Sequence, residues 1–552
     1  MKTIHKSTRR LWLQLLSLLF AASFTACSDG TEPPNLEPIV EMLPATGITR
    51  TEALVSARVH KRGPAKLSFI TFLYGENGST DREAGAGVED GDTVAVRLTG
   101  LKPGTGYSCR IAVGTASATL RSAAVNFTTQ PNERPAVSAA EPLSTGPTGL
   151  IVRFDIEDDG GEPLVAAGCE VRGSAGDALF RVALPADELS EGPHRLVVGG
   201  LTPMSKFTIV PFAANTIGEA SGTPLEYTTR NSIVLTEAGA LADVFAGTAK
   251  VELQRLTVSG FMNGDDFRFL RMLLGAPAVP GTATVESAVT EADLTDAHIV
   301  EGGGSYDGAR FTETDRITTG LLADCPRLRQ ILLPASAVAL ERNALARCTA
   351  LVALTVSAGI ESLLPSEGCS ALGTITASGA NTAFTAIDGV LFNSAGTSIV
   401  WFPLGKTGDY TLPSTVTHIG EDAFAGTQIK SLKIPASVTG IGRGAFAGSA
   451  LEEIYMPDNL ANISEGLFQG CGALATVRLG SGTRYIGDYT FDGTALRNLY
   501  VAATVPPFAG SLAFANRSES MGAACTLHVP HGCVKIYRNH SQWSVFERIE
   551  EY

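Results

Sequence analysis

One octapeptide pattern recurs at a nearly fixed step, and that recurrence constrains this chain more than any other feature. Ile419-Gly420-Glu421-Asp422-Ala423-Phe424-Ala425-Gly426 returns as Ile441 to Gly448, as Ile463 to Gly470 and as Ile486 to Gly493, at steps of 22, 22 and 23 residues. Each copy runs on into a short β-prone stretch: Leu432-Lys433-Ile434-Pro435, Ile454-Tyr455-Met456-Pro457, Val477-Arg478-Leu479 and Leu499-Tyr500-Val501. Weaker copies precede them, with strands at Ile331 to Pro334 and Leu354 to Val356. A single unit of this length cannot bury its own apolar face, so the units must stack into a solenoid. The isoleucine, the phenylalanine and two strand apolars then point inward, glycine permits the turn, and proline ends the strand where no amide donor is needed. The residues between the strand apolars face out: Ser431 and Lys433, Glu453 and Tyr455, Thr476 and Arg478, Asn498 and Tyr500. Stacking places Lys433, Tyr455, Arg478 and Tyr500 in one column, a candidate ligand-binding surface because tyrosine and arginine are over-represented among interface hot spots.

This pattern resembles the BspA-type, or treponemal-type, leucine-rich repeats, over about residues 235–552. Asp388-Gly389-Val390-Leu391-Phe392-Asn393 followed by Trp401-Phe402-Pro403 is similar to the hairpin inserted in that family. Leu294 to Ala297 with Gly302 to Tyr306 resembles its N-terminal cap. Thr526-Leu527-His528-Val529-Pro530, ahead of Tyr537 and Trp543, resembles its C-terminal cap. The resemblance implies an N-terminal cap over 232–316, a solenoid over 317–507 with the hairpin near 386–412, and a C-terminal cap over 508–552. It also implies binding rather than catalysis, since family members are linked to adhesion to host matrix proteins or to other bacteria. Within the N-terminal cap, Thr236 to Phe245 reads as an N-capped helix. Asn263-Gly264-Asp265-Asp266 opens a second helix with an apolar stripe at Phe267, Leu270, Leu273 and Leu274.

The chain before the repeat is different. Short β-prone runs separated by turn residues (Ala53 to Val59, Leu67 to Tyr74, Val94 to Leu98, Ser108 to Val113, Ala123 to Thr129) argue for a β-sandwich. Leu98-Thr99-Gly100-Leu101-Lys102-Pro103-Gly104-Thr105-Gly106-Tyr107 resembles the corner before strand F of fibronectin type III domains, where the tyrosine hydroxyl bonds back to the chain. The corner recurs at Val198 to Phe207, with Phe207 in the tyrosine's place, so the second copy is expected to hold its corner by packing alone. Strands are expected there at Leu150 to Ile156, Leu164 to Val171 and Phe207 to Ala213. The fold class is therefore mainly β: two immunoglobulin-like (fibronectin type III) β-sandwiches, over 36–131 and 132–231, followed by the capped leucine-rich-repeat solenoid.

The first residues set the compartment. Lys2, Lys6, Arg9 and Arg10 precede an apolar run from Leu11 to about Ala22, too short to span a bilayer and laid out as a secretory signal. Phe24-Thr25-Ala26-Cys27 resembles a bacterial lipobox with phenylalanine where leucine is commonest. The resemblance implies cleavage after residue 26, acylation of Cys27, and a polar tether over 27–35. Localisation follows as the bacterial outer membrane, lipid-anchored and facing the cell surface. Cleavage removes four positive charges, taking the net charge from −14 to −18. That balance excludes nucleic acid as a partner and excludes a polybasic membrane patch, leaving the lipid as the sole membrane attachment.

Eight cysteines follow Cys27. Cys325, Cys348, Cys369 and Cys471 recur at one place in the repeat, which suits a buried filler better than half a bridge. Cys525 and Cys533 leave pairing open. No nucleophile elbow, zinc-protease helix or phosphate loop occurs. Cys525, His528, His531 and Cys533 have ligand-like spacing but straddle a cap strand and its turn. Asp155 to Gly160 lacks the glutamate a calcium loop needs, since Ala166 stands at position twelve. The expectation is no metal, no cofactor and no enzyme. The chain reads as a monomer that binds an extracellular protein or glycan through the solenoid sheet. The alternatives are an accessory glycan-binding protein in polysaccharide capture and an enzyme with a loop-built site.

Overall fold

The computed structural model describes residues 37–60, 66–87, 93–277, 285–408, 410–515 and 521–552. The signal segment, the tether and the expected lipid-attachment residue Cys27 lie outside the described residues. No helix among those described is long and apolar enough to cross a membrane. The chain is mainly β, with a β-solenoid in its C-terminal region, and it divides into two units, one ending at Glu133 and one beginning at Arg134.

The first unit holds two antiparallel sheets around one core. Ile39–Met42, Ala53–His60 and Thr93–Leu98 form one sheet; Arg82–Ala86, Phe69–Glu76, Gly106–Gly114 and Thr119–Arg121 form the other, with Val125–Thr128 paired to Gly106–Gly114. Strand periodicity explains the core: Ala53, Val55, Ala57 and Val59 fall on one face, all buried, and join Phe72, Ile111 and Val113 of the facing sheet. At the corner the Lys102 amide donates to the Tyr107 hydroxyl at 2.8 Å.

The second unit opens with two further antiparallel sheets. Leu150–Asp158 pairs with Gly192–Val198, while Leu164–Arg172 pairs with Ala178–Ala183 and Lys206–Asn215. Its corner is not held by packing alone, as the sequence suggested. The Thr229 hydroxyl donates to the Thr202 carbonyl at 2.7 Å and accepts the Ser205 amide at 2.9 Å. Thr129 makes the same pair of bonds in the first corner, to the Lys102 carbonyl and from the Thr105 amide. A threonine from the closing strand therefore does in both corners what was assigned to the tyrosine alone.

The first of these two sheets runs directly into the solenoid. Glu141–Thr145 bridges Ser232–Leu235 at Thr145 and Val234. From there the pairing is parallel: Arg255–Met262, Glu291–Asp293, Gln330–Leu332, Ala353–Val356 and Thr374–Ala377 follow in one sheet. Thr236 to Phe245 is not the expected helix, only a 3₁₀ turn at Asp243–Phe245. Gly239 adopts a φ of 92°, and the buried Asp266 carboxylate takes the Gly239 and Leu241 amides that a helical ladder would need. Asp266 sits in the first turn of the helix Gly264–Leu273, where it also closes the capping box on Asn263.

Two apolar cores fill the solenoid, and the inserted hairpin is the wall between them. Phe384–Ile387 and Val390–Asn393 pair antiparallel, and Ser398–Trp401 follows. Alternation splits this wall: Leu391 and Trp401 belong to the earlier core, while Val390, Phe392 and Phe402 belong to the later one. Beyond it the repeat becomes regular. Phe402, Phe424, Phe446, Phe468, Phe491 and Phe514 stack ring on ring at 5.0–6.3 Å. The turns after Phe424, Phe446, Phe468 and Phe491 need left-handed backbone, and Gly426, Gly448, Gly470 and Gly493 supply it at φ 67–77°. The C-terminal segment then closes the stack, with the buried Tyr537 hydroxyl donating to the Ala503 carbonyl and the Trp543 indole to the Pro507 carbonyl.

All eight described cysteines are buried free thiols, Cys525 and Cys533 included. The repeating ones do more than fill space. Cys348, Cys369 and Cys471 donate to the Leu322, Leu345 and Phe446 carbonyls of the preceding coil at 3.0–3.2 Å. Thr427, Ser449 and Thr494 hold the same repeat position elsewhere, so the position selects a small donor.

Candidate functional site: a stacked column on the solenoid sheet

Six parallel strands form the sheet of the later coils: Ser431–Lys433, Glu453–Tyr455, Thr476–Leu479, Asn498–Val501, Thr526–Val529 and Arg548–Glu551. Leu432, Ile454, Val477, Leu499, Leu527 and Ile549 are buried beneath it. Because the ladders are parallel, each residue lies beside its counterpart one coil away. Lys433 aligns with Tyr455, Tyr455 with Arg478, and Arg478 with Tyr500. The four residues expected in one column are in one column. The register continues through two residues that sequence reasoning left to the cap, His528 and then Glu550. The signal for His528 was present: Leu527-His528-Val529 repeats the spacing of Leu499-Tyr500-Val501.

The column is a continuous stack. The Arg478 guanidinium lies between two rings, 3.5 Å from the Tyr500 centroid and 5.4 Å from that of Tyr455. His528 covers the opposite face of Tyr500 at 4.1 Å, nearly parallel, and Tyr552 meets Tyr500 edge-on at 5.2 Å. Such cation–π contacts contribute roughly 0.5–1 kcal/mol each at exposed sites. They order a long side chain that would otherwise sample many rotamers. Burial opposes the Arg478 charge, yet the flanking tyrosines outweigh it and hold its pKa above the ordinary value. Burial, joined by the Arg478 charge, pulls His528 below 6.5 against the opposing effect of Glu550. His528 Nε2 is 3.1 Å from the Asn498 side-chain oxygen, which fixes the imidazole in the stack. At the other end Lys433 and Tyr455 flank a shallow hollow of about 460 Å³, floored by Ile434, Met456 and Pro457.

The remaining sequence candidates do not converge. His531 is exposed and pairs with Glu551 at 2.7 Å, the Cys533 thiol points to the Thr504 carbonyl, and His528 belongs to the column. Asp158, Asp159 and Glu191 are the one group of three such side chains within reach of a shared ion among the described residues. Their carboxylates already accept the amides of Gly160, Gly161 and Asp159. A hollow of about 490 Å³ lies at the repeat turns and is lined by charges that pair with one another, such as Arg342 with Glu421 and Arg443 with Glu465.

No curated protein matches the chain. Among solved structures, a leucine rich cell surface protein from Faecalibacterium prausnitzii is similar at 19% identity, over 59% of this chain and 84% of its own, with a TM-score of 0.33. The pneumococcal vaccine antigen PcpA is similar at 16% identity, over 62% and 97%, with a TM-score of 0.38. A leucine-rich repeat protein from Eubacterium ventriosum is similar at 16% identity, over 58% and 95%, with a TM-score of 0.31. The model of the BspA type leucine rich repeat region matches residues 402–520 in six copies, the segment that carries the phenylalanine stack and most of the column. Residues 402–520 are a BspA-type leucine-rich repeat region.

Proposed function

We propose that this chain is a non-catalytic, lipid-anchored surface protein of a bacterial outer membrane that adheres to an extracellular protein through the sheet face bearing Lys433, Tyr455, Arg478 and Tyr500. Cys27 carries the anchor, and two fibronectin type III-like sandwiches, 36–131 and 132–231, form the spacer between anchor and repeat in the chain. The observation that carries the reading is the Tyr455–Arg478–Tyr500–His528 stack on an open sheet face. Rigid, amphipathic aromatic and guanidinium groups ordered before binding are what a protein hot spot requires.

The same stack weighs against a sugar platform at Tyr500. A pyranose ring needs an open aromatic face, and both faces of Tyr500 are taken, one by Arg478 and one by His528. The glycan reading has its own foothold elsewhere: Phe508 is 61% exposed and stacks on Tyr485, in the last strand of a separate small sheet. An array of matrix proteins and polysaccharides, probed with the full processed chain, separates these readings. Capture on protein spots supports adhesion to protein; capture confined to polysaccharide spots transfers the function to glycan; no capture removes both.

A further inference from the structure

Arg478 is stacked between two rings and has no carboxylate partner among the described residues. Elsewhere on the described repeats several arginines find carboxylates: Arg316 with Glu341, Arg342 with Glu421, Arg347 with Asp324 and Arg443 with Glu465. What touches Arg478 is tyrosine on both sides. Its Nε is covered and has no hydrogen-bond partner. Among the described residues no carboxylate stands within ion-pair distance of Arg478 or of Lys433, two strands along the same column. The acids on this face are otherwise engaged or offset: Glu550 lies beside His528, Glu551 binds His531, and Glu453 stands in the adjacent column aligned with Ser431 and Thr476. On a chain whose processed net charge is −18, two cations left without acid partners on one open column are a local reversal of sign.

We infer that this column is a carboxylate receptor: the guanidinium of Arg478 takes an aspartate or glutamate side chain of the partner protein, and Lys433 takes a second acid of the same segment. The inference rests on the adhesion reading above and names the chemistry of its partner. The stacking supplies the physical reason. A guanidinium clamped between two rings has already lost its rotamer freedom, so the two parallel bonds of a bidentate Arg–carboxylate pair form without that entropic cost. The rings also exclude water from both faces of the fork, which strengthens a bond made at its edge. Tyr455, Tyr500 and Thr476 add hydroxyl donors around the same point, and Asn498 an amide, so the surface offers donors where an acidic segment offers acceptors. The strand spacing of about 4.8 Å puts Lys433 and Arg478 roughly 10 Å apart, within the span of three to four residues of an extended peptide.

The test uses the full processed chain on a biosensor with three synthetic twelve-residue peptides of equal length, carrying glutamate, glutamine or lysine at alternate positions, and with oligogalacturonate as a carboxylate of glycan origin. The glutamate peptide is expected to bind at least about tenfold more tightly than the glutamine peptide, the least that a charged hydrogen-bonded pair contributes. Arg478→Ala should abolish the difference. Arg478→Lys should recover less than half of it on a logarithmic scale, because a point charge has no fork, and circular dichroism of both variants checks that the sheet is intact. Equal binding of glutamate and glutamine peptides, or full retention by Arg478→Lys, overturns the receptor. Binding of oligogalacturonate without binding of the glutamate peptide overturns the protein partner. If the array above shows capture by matrix proteins that survives Arg478→Ala, adhesion stands and the carboxylate receptor falls.

Discussion

Replacing Phe446 by alanine should destabilise the later solenoid core more than any other single change in the repeat. The ring is 1% exposed and lies between Phe424 at 5.4 Å and Phe468 at 5.9 Å, so removal opens a void and breaks two stacked contacts at once. Burial and cavity terms for phenylalanine to alanine come to about 3–5 kcal/mol. The void sits mid-stack, where coils above and below are fixed by their own ladders and cannot collapse into it, so the upper half of that range is expected. Phe446→Leu keeps most of the volume and loses the ring contacts, at roughly 0.5–1.5 kcal/mol per aromatic pair. Urea unfolding followed by tryptophan fluorescence reads this, because Trp401 and Trp543 are both fully buried and sit in different cores. In single-tryptophan variants the Trp543 transition should shift for Phe446→Ala while the Trp401 transition shifts less, since each coil is stabilised chiefly by its neighbours. A cost below about 1 kcal/mol, the level of an ordinary surface change, would refute the stacked core. Equal costs for leucine and alanine would refute the ring contacts as its stabilising element.

Three further outcomes are expected. Tyr107→Phe removes the hydroxyl that accepts the Lys102 amide and should cost the first unit about 1 kcal/mol, less than the bond would contribute alone because Thr129 also pins the corner; an unchanged urea midpoint would show the hydroxyl to be redundant. Burial pushes the thiols of Cys109, Cys169, Cys369 and Cys525 up to about 12, so the chain from residue 28 onward should react with a thiol reagent only after denaturation and then show eight thiols; fewer than eight without reductant would reveal a disulfide. His528 has a folded pKa below its ordinary 6.5, so the unfolded chain binds its proton first. Its contribution to stability is intact above about pH 6.5 and is lost as pH falls through the lowered folded value. Histidine NMR should place its titration below 6.5, moving upward in Arg478→Ala; titration at or above 6.5 in the unaltered chain contradicts the stack.

Much of this was legible because a stacked repeat converts sequence spacing directly into spatial register. Ile441 lies over Ile419 and Arg478 over Tyr455 because the 22- and 23-residue steps match one turn of the coil, so inward and outward residues could be named before any geometry. The parts that failed are those where tertiary contacts override local pattern. Thr236 to Phe245 has helical spacing, but its amides are claimed by Asp266, a residue about 25 positions away in the chain. The bonds of Thr229 at the second corner come from a closing strand that no local motif marks. His528 and Glu550 escaped because the cap strands lack the Ile-Gly and Phe motifs that identify a coil, although they keep its strand register. The hairpin's role as a wall follows from the alternation of Val390, Leu391 and Phe392, which becomes visible once two cores exist to be separated.

The central claim is that binding runs through the stacked column. The measurement that tests it most directly is the affinity of the full processed chain, and of a variant with Lys433, Tyr455, Arg478 and Tyr500 all replaced by alanine, for the matrix protein captured most strongly on the array. Because Leu432, Ile454, Val477 and Leu499 beneath the column are untouched, the variant should unfold within a few kcal/mol of the parent, at the sum of exposed β-face substitutions of at most about 1 kcal/mol each. The account predicts at least a hundredfold weaker binding with the fold retained, from two or more hot-spot side chains at about 2 kcal/mol apiece. Unchanged affinity in a folded variant would contradict it.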